Sequence, residues 1–455
     1  MTPLPAPTRP LVRVVVLNFN GGDMTIACLE QLIGTDWPAE RLQLVLVDNA
    51  STDHVVSDVR RDMPTVSIIE SAVNRGFAGG CNLGLHDLDN IDFVALVNND
   101  VLVEPDWLGP LVTALESDPT LGAACPRILF THRYLDLRIT VPTTRRGWGD
   151  HRELGVRLSG LRVGDEERWR QVQLVEGFWG LEHAADRGDD FQWTAGEALL
   201  RVPMPDGSGL PCCTELLLAA DSPVPVTLHA GGEVAHHLVG TEPDWYAVET
   251  RGEPFEVINN VGSMLTPDHH GADRGYLEPA EGRYRDPEDV FAWCGAAVLL
   301  PRRYLQEVGV FDERFFLYYE DLELSWRGRK QGWRYRYVPA STVRHHHSAT
   351  TLEGSPLSQH HNERNRLLTL ILHGSMRTVC AVLVRHLLVT GSYLRRDVLS
   401  PLLRGRPVRS ESVRRRLRAL GAALRLAPAM LMQRRERRLC GQMAIRPSDG
   451  DQIVT

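Results

Sequence analysis

The sequence predicts an α/β fold: a mainly parallel sheet with helices on both faces, interrupted by an inserted β-rich domain and followed by a helical C-terminal region. Three observations carry this. Short uninterrupted apolar runs alternate with segments of helical spacing, the pattern of strands buried on both faces. Several of these runs end in a cluster of Asn, Asp and Ser. From about Thr131 to Arg285 Gly, Pro, Trp and short alternating runs take over, and the buried α/β style returns at Phe291.

The first run, Arg13 to Leu17, ends in Asn18-Phe19-Asn20-Gly21-Gly22. Asp23 is placed to cap a helix with the apolar face Ile26, Leu29, Leu32 and Ile33. Leu44 to Val47 ends at Asp48-Asn49-Ala50-Ser51, Val66 to Ile69 is a third run, and Phe93 to Val97 ends at Asn98-Asn99-Asp100. Asp106 to Glu116 reads as helix. Ligands of open α/β sheets bind outside the carboxyl ends of the strands, so Asp48 and Asp100 are expected to face one crevice. Asp and Asn are also ordinary turn formers, and for Asp48 alone that account is equally good. In the insert, Val224 to Leu228 and Phe255 to Ile258 suggest a sandwich or jelly roll. The expected domains are residues 1–130, 131–286, 287–375 and a basic helical region 376–455.

Composition narrows the function classes. At 455 residues two to three domains are expected, and 43% hydrophobic with 24% charged residues fits a soluble globular chain. The net charge of -8 argues against a nucleic-acid partner. The eight cysteines form no C-x-x-C pair, which speaks against zinc and for a reduced, cytoplasmic setting. The N-terminal apolar run is too short for a signal peptide or a membrane span. Lys330 is the single lysine, which excludes a Schiff-base or P-loop lysine elsewhere; genomic base composition explains the bias.

The ordered segments NFNGG, VDNASTD, NRGFAGGCN, LVNND, CGAAVLLPRR, FDERFFLYYEDLELSWR and YVPASTVRH resemble the family 2 glycosyltransferases, and among them the non-processive rhamnosyl- and galactofuranosyl-type members of bacterial cell-wall polysaccharide synthesis. The likeness covers residues 13 to 130 and 288 to 375. It implies the GT-A fold, a nucleotide-sugar donor, and a glycan or polyprenyl-linked acceptor. Two departures stand out: the family's usual D-x-D is Asn98-Asn99-Asp100 here, and the Q-x-x-R-W motif of processive synthases is absent.

Transfer from a nucleotide diphosphate needs the leaving group neutralised and the acceptor hydroxyl deprotonated. A hard cation, Mg2+ or Mn2+, meets the first need, with Asp100 and then His345 as expected ligands. His345, His346 and His347 also read as an incidental surface cluster. Asp321 is the expected general base: the resemblance favours it over Glu320, and the aromatic run Phe315 to Tyr319 can raise its pKa. The bland alternative is that both acids only cap the following helix. Asn18, Asp48, Asn74, Arg75, Gly76 and Asn98 are expected at the nucleotide-sugar, with the glycines allowing close approach to phosphate. Trp293 and Glu320 are expected near the acceptor, although core packing is an equally good account of Trp293.

The insert's Trp148, Trp169, Trp179, Trp193 and Trp245 read as a small β core or as sugar-stacking platforms, the former favoured. Fourteen arginines between Arg395 and Arg438 interleave with Leu417, Leu420, Leu424 and Leu431. That pattern suits the anionic inner face of the plasma membrane, a solvated helix face or an oligomer contact. Rival readings are another nucleotide-sugar enzyme, such as a nucleotidyltransferase, and a degenerate transferase serving as a sugar-binding scaffold.

Overall fold

The computed structural model describes residues 9–145, 151–183, 190–205, 211–346, 355–405, 408 and 410–439. Trp148, His347, Arg406, Arg409 and the side chain of Arg438 lie outside the described residues. The chain forms two compact units. One comprises Met1–Leu129, Asn259–Tyr276 and Tyr284–Thr455, the other Phe130–Ile258 and Leu277–Arg283.

In the first unit, β1 (Val12–Asn18) lies between β2 (Leu42–Asp48) and β4 (Phe93–Asn98), and β3 (Val66–Glu70) flanks β2, all parallel. The order β3-β2-β1-β4 reverses direction at β1, the topological switch point where open α/β sheets bind ligands. Asn18 pairs directly with Asp48, and Leu17 with Asn98, so the polar strand ends are neighbours by register. The strand Ala297–Pro301 continues the sheet antiparallel to β4. The strands are β-branched and buried on both faces, with Val12, Val14, Val16, Leu44, Leu46 and Val97 in one core. This is the mainly parallel α/β architecture of a GT-A fold.

Helix α1 (Asp23–Ile33) differs in detail from expectation. Gly22 occupies the cap position, and Asp23 sits in the first turn without capping it. The buried stripe is Thr25, Cys28, Leu29 and Leu32, a 3.6-residue repeat that leaves Ile33 44% exposed.

The expected insert boundary at residue 286 is corrected. Asn259–Tyr276 belongs to the first unit because Ser263 and Ala292 exchange backbone hydrogen bonds of 2.7 and 3.0 Å, and Leu265 packs with Ala292 and Leu322. The C-terminal helices belong to the same unit. Leu367, Leu368 and Ile371 of α7 (Pro356–His373), Val379 and Val382 of α8 (Met376–Tyr393), and Ala423 and Met430 of the Glu411–Leu439 helix share one cluster. The leucine face expected to bind is turned outward at Leu417, Leu424 and Leu431, whereas Val413, Ala419, Ala423 and Met430 are buried and Leu420 packs partly.

The second unit is an antiparallel β domain. Asp190–Met204 pairs with residues 133 to 140, and Cys212–Ala219 pairs with Arg157–Val163 and Asp244–Thr250. Alternate residues Leu135, Leu137 and Ile139, and Ala198, Leu200 and Val202, point into one core, as period-2 strands require. Trp193 is buried and Trp169 packs on that core, while Trp245 is half-exposed with Arg162 over its ring at 3.9 Å.

Candidate active site

The end of β1 is a closed hydrogen-bond hub. Asn18 is fully buried: Nδ2 donates to Asp48 Oδ1 at 3.2 Å and Ser51 Oγ at 3.0 Å, and Oδ1 accepts from Thr25 Oγ1 at 2.8 Å and the Gly21 N–H at 3.1 Å. Asp48 Oδ2 accepts from the Ser51 N–H at 3.2 Å, and Asn99 Nδ2 donates to Thr25 at 2.9 Å. Asn18 therefore organises the strand ends and, being 0% exposed, presents no surface to a ligand. Ser51, Asp53, Thr25 and Asn99 complete the hub. They were missed in the sequence because each is an ordinary turn residue until the strands are laid side by side.

A second polar turn starts α3 (Gly76–Gly84). Asn49 Nδ2 donates to Asn74 Oδ1 and to the Gly76 carbonyl, both at 3.0 Å, and its Oδ1 accepts from the Arg75 N–H at 2.8 Å. The Arg75 guanidinium is 44% exposed and 3.9 Å from Glu313, so it is available to an anion at the helix N-terminus. Gly76 has φ 69°, and a Cβ there would lie 2.3 Å from the Phe316 carbonyl oxygen, so only glycine fits. Nothing in the residue pattern marks this approach to Phe316.

Asp100 and His345 meet because the strand Arg334–His345 pairs antiparallel with β5 (Val101–Val103), His345 opposite Val101. The His346 N–H closes the ladder on the Asp100 carbonyl at 2.9 Å. His345 Nε2 is 3.1 Å from Asp100 Oδ1, and Nδ1 is 3.0 Å from Asn259 Oδ1. Although burial opposes it, the charges of His345 and His346 hold the Asp100 carboxyl below its usual range. Both His345 ring nitrogens thus face oxygens that only accept. A carboxylate oxygen and an imidazole nitrogen, the latter held by an outer amide, fit a divalent cation that completes its shell with phosphate and water. Among the described residues no group of three or more His, Cys, Asp and Glu could hold an ion.

Asn98 links the Asp100 strand end to the segment that holds Asp321. Its N–H donates to the Ala296 carbonyl at 2.8 Å, and the preceding Gly295 N–H donates to Asp321 Oδ2 at 2.9 Å. Asp321 lies in the first turn of α6 (Glu320–Arg329), with Oδ1 accepting from the Leu322 N–H at 2.7 Å. Its surface is partly accessible, yet burial pushes its carboxyl up to about 6, with Asp273 adding to the shift and the Gly295 and Leu322 N–H groups opposing it. Glu320 is 5% exposed, and its Oε2 has no hydrogen-bond partner among the described residues. Burial first, and Asp321 second, hold Glu320 well above the carboxylate range. Burial thus raises both carboxyls of the pair, and Asp321 is the one with an accessible edge and backbone N–H groups on its oxygens.

The two residues expected at the acceptor, Trp293 and Glu320, are both buried. Trp293 is fully buried with its ring 6.0 Å from Phe311, and Glu320 is buried at the start of α6. Core packing, the alternative reading of Trp293, is what the structure has.

Behind Asp321, α6 is anchored by buried charge. Glu323 is fully buried and paired with Arg327, with His373 of α7 at 3.0 Å and with Arg437 at 3.1 Å. These opposite charges hold its carboxyl well below the usual range despite burial. Arg437 thus serves the interior, as does Arg434, which is 6% exposed and donates to the Ile371 carbonyl at 2.7 Å.

The polar ends of β1, β2 and β4 gather beside the switch point of the parallel sheet, where open α/β sheets bind their ligands. Residues 13–149 match the family model described as Glycosyl transferase family 2, and residues 284–403 match Glycosyl transferase family group 2. Together these matches span more than half of the chain, which belongs to the family 2 glycosyltransferases. Among curated relatives, the N-acetylglucosaminyl-diphospho-decaprenol L-rhamnosyltransferase of Mycobacterium tuberculosis is 42% identical over 82 residues, 17% of this chain and 27% of that protein. The chain therefore matches little more than a quarter of the relative's length. Solved structures with some likeness include GalNAc-T7 with UDP, GalNAc and Mn2+ (TM-score 0.45, 14% identity, 81% of this chain and 48% of that one). Another is the mannosyltransferase PcManGT from Pyrobaculum calidifontis in complex with GDP-Man and Mn2+ (TM-score 0.40, 15% identity, 95% and 88%). Neither adds to the assignment at that level of similarity.

Proposed function

We propose that the protein transfers a sugar, with inversion, from a nucleotide-diphosphate donor to a hydroxyl of a glycan or polyprenyl-linked acceptor in cell-wall or surface polysaccharide synthesis. The observation that carries this is the Asp321 carboxyl, raised to about 6 and fixed by Gly295 beside the strand end that bears Asp100. The donor lies over the switch point, with Asp48 and Asn98 towards the nucleoside and the Asn74-Arg75-Gly76 turn towards the diphosphate. Asp100 and His345 would hold Mg2+ or Mn2+, which would supply positive charge to the leaving diphosphate. Asp321 takes the proton of the acceptor hydroxyl as its oxygen attacks the anomeric carbon. The bond to the diphosphate breaks on the opposite face, so one base and no covalent nucleophile suffice and the configuration inverts. The decaprenol-linked substrate named for the mycobacterial relative makes a lipid-linked acceptor the first to try. A screen of nucleotide sugars for cation-dependent hydrolysis or transfer, with the anomeric configuration of the product read by NMR, tests the proposal. No turnover with any donor would favour a scaffold; a retained configuration would overturn inversion.

The surface of the last helix supports a location at the cytoplasmic face of the plasma membrane. Leu417, Leu424, Leu431 and Met432 are exposed, interleaved with exposed Arg414, Arg418, Arg425 and Arg435. Leucines seven residues apart with flanking arginines fit an interfacial helix on anionic lipid. Among the described residues no helix is long and apolar enough to cross a membrane. Changing Leu417, Leu424 and Leu431 to Ser should release the protein from anionic liposomes, and salt should weaken wild-type binding. Binding unaffected by both would sink this reading and leave a solvated face or oligomer contact.

A further inference from the structure

The segment that delivers the base has an improbable backbone. Phe316 (φ 65°, ψ -59°) is the centre of a γ-turn, its two neighbours joined by a Leu317 N–H to Phe315 carbonyl bond of 2.7 Å. Tyr318 and Tyr319 follow with φ of 67° and 69°. Aromatic side chains disfavour such conformations, and these precede Glu320 and Asp321 directly. Something outside the segment must hold it.

We propose that Asn365 is a positioning residue that builds this loop and so presents Asp321, a role that rests on Asp321 being the base. Asn365 lies on α7 and is fully buried. Its Nδ2 faces three carbonyls, those of Phe315 and Leu317 at 2.8 Å and Tyr318 at 2.7 Å. Its Oδ1 accepts from Arg364 Nε at 2.8 Å, and Arg364 Nη2 donates to the Phe315 and Arg314 carbonyls at 2.6 and 3.0 Å. Three carbonyls from a four-residue stretch converge on one point only when the chain curls tightly around it, and the positive φ values are that curl. On its other side the loop meets α3, where the Ala78 N–H donates to the Phe316 carbonyl at 3.3 Å. A nitrogen that only donates suits this centre. Asp at 365 would set a carboxylate against three carbonyls, and Leu would leave them buried without a donor. The C-terminal helices thus hold the catalytic loop in shape from behind, as Glu323 anchors the rest of α6.

The test compares kcat, KM and the pH profile of wild type, Asn365→Leu, Tyr318→Gly and the double variant. The donor is the nucleotide-diphosphate sugar that the wild-type protein turns over in the screen. Asn365→Leu should lower kcat by about 100-fold, the scale of a 1 Å misplacement, with donor KM nearly unchanged. Its acidic limb should move to lower pH as water reaches Asp321, which Glu320, Asp273, Cys294 and Tyr319 otherwise surround. Glycine at 318 removes the conformational penalty there, so Asn365→Leu should cost less in the Tyr318→Gly background. A merely destabilising change would lower active concentration without moving the limb or being rescued, and that outcome overturns the proposal, as does wild-type kcat in a folded Asn365→Leu. If that variant does not fold, the isosteric Asn365→Asp takes its place. Amide exchange over residues 314–322, which needs no turnover, should be faster in either variant; unchanged protection also overturns the proposal. Normal turnover in Asp321→Asn would instead remove the base assignment, and the exchange result then judges the loop alone.

Discussion

The Gly295 N–H and Asp321 Oδ2, 2.9 Å apart, join two segments 26 residues distant in sequence. Of the two acids that start α6, this bond selects Asp321 as the one held towards the strand ends. Replacing Asp321 by Asn keeps the shape and removes the basicity. Turnover should fall by about 100- to 10,000-fold with donor affinity nearly intact. Steady-state kinetics together with calorimetric donor titration checks this; near-normal turnover would refute the assignment.

The pH dependence follows from the same carboxyl. Asp321 must be ionised to take a proton, and its pKa is raised to about 6. Activity should therefore be lost as pH falls below about 6, roughly tenfold per unit. The stability term has the opposite sense. A raised pKa means the folded state favours the proton, so this contribution is full below the ordinary carboxylate value of about 4 and is lost as pH rises through about 6. A kcat/KM profile and melts from pH 4 to 8 separate the two; a flat profile across pH 5 to 7 would contradict the first.

At the cation site, Asp100→Ala should abolish cation-stimulated donor binding. Asn259→Ala, which removes only the partner of His345 Nδ1, should weaken cation affinity about 10- to 100-fold. Titration of Mn2+ by electron paramagnetic resonance reads both directly. Equal affinity in Asp100→Ala and wild type would exclude this residue as a ligand.

Glu323 balances Arg327 and Arg437 inside the protein. Glu323→Gln leaves those cations buried without their partner and should destabilise by about 3–5 kcal/mol. Because the Glu323 pKa is depressed, its stabilising effect holds above the ordinary carboxylate value and is lost as pH falls towards the depressed one. Denaturant melts of wild type and variant at pH 7 and pH 4 measure this: a loss under about 1 kcal/mol at pH 7, or a gap that does not narrow at pH 4, would count against it.

The strands of the parallel sheet, the change to an antiparallel β domain near residue 130 and the acidic start of α6 are legible in the residues alone. Each of these is written locally, in apolar periodicity and in turn residues at the ends of runs. The family was also legible, because its motifs keep their order along the chain. The folded chain shows, as its residue order does not, that Asn18 is an internal organiser, that Trp293 and Glu320 are buried, and that Arg434 and Arg437 serve the core. It alone brought Asn259 to His345 and Asn365 to the loop of Phe316, pairs separated by 86 and roughly 50 residues. An Asn or Arg carries no mark of where its hydrogen bonds will end. That is set when distant strands and helices close on one another and every buried donor must find an acceptor.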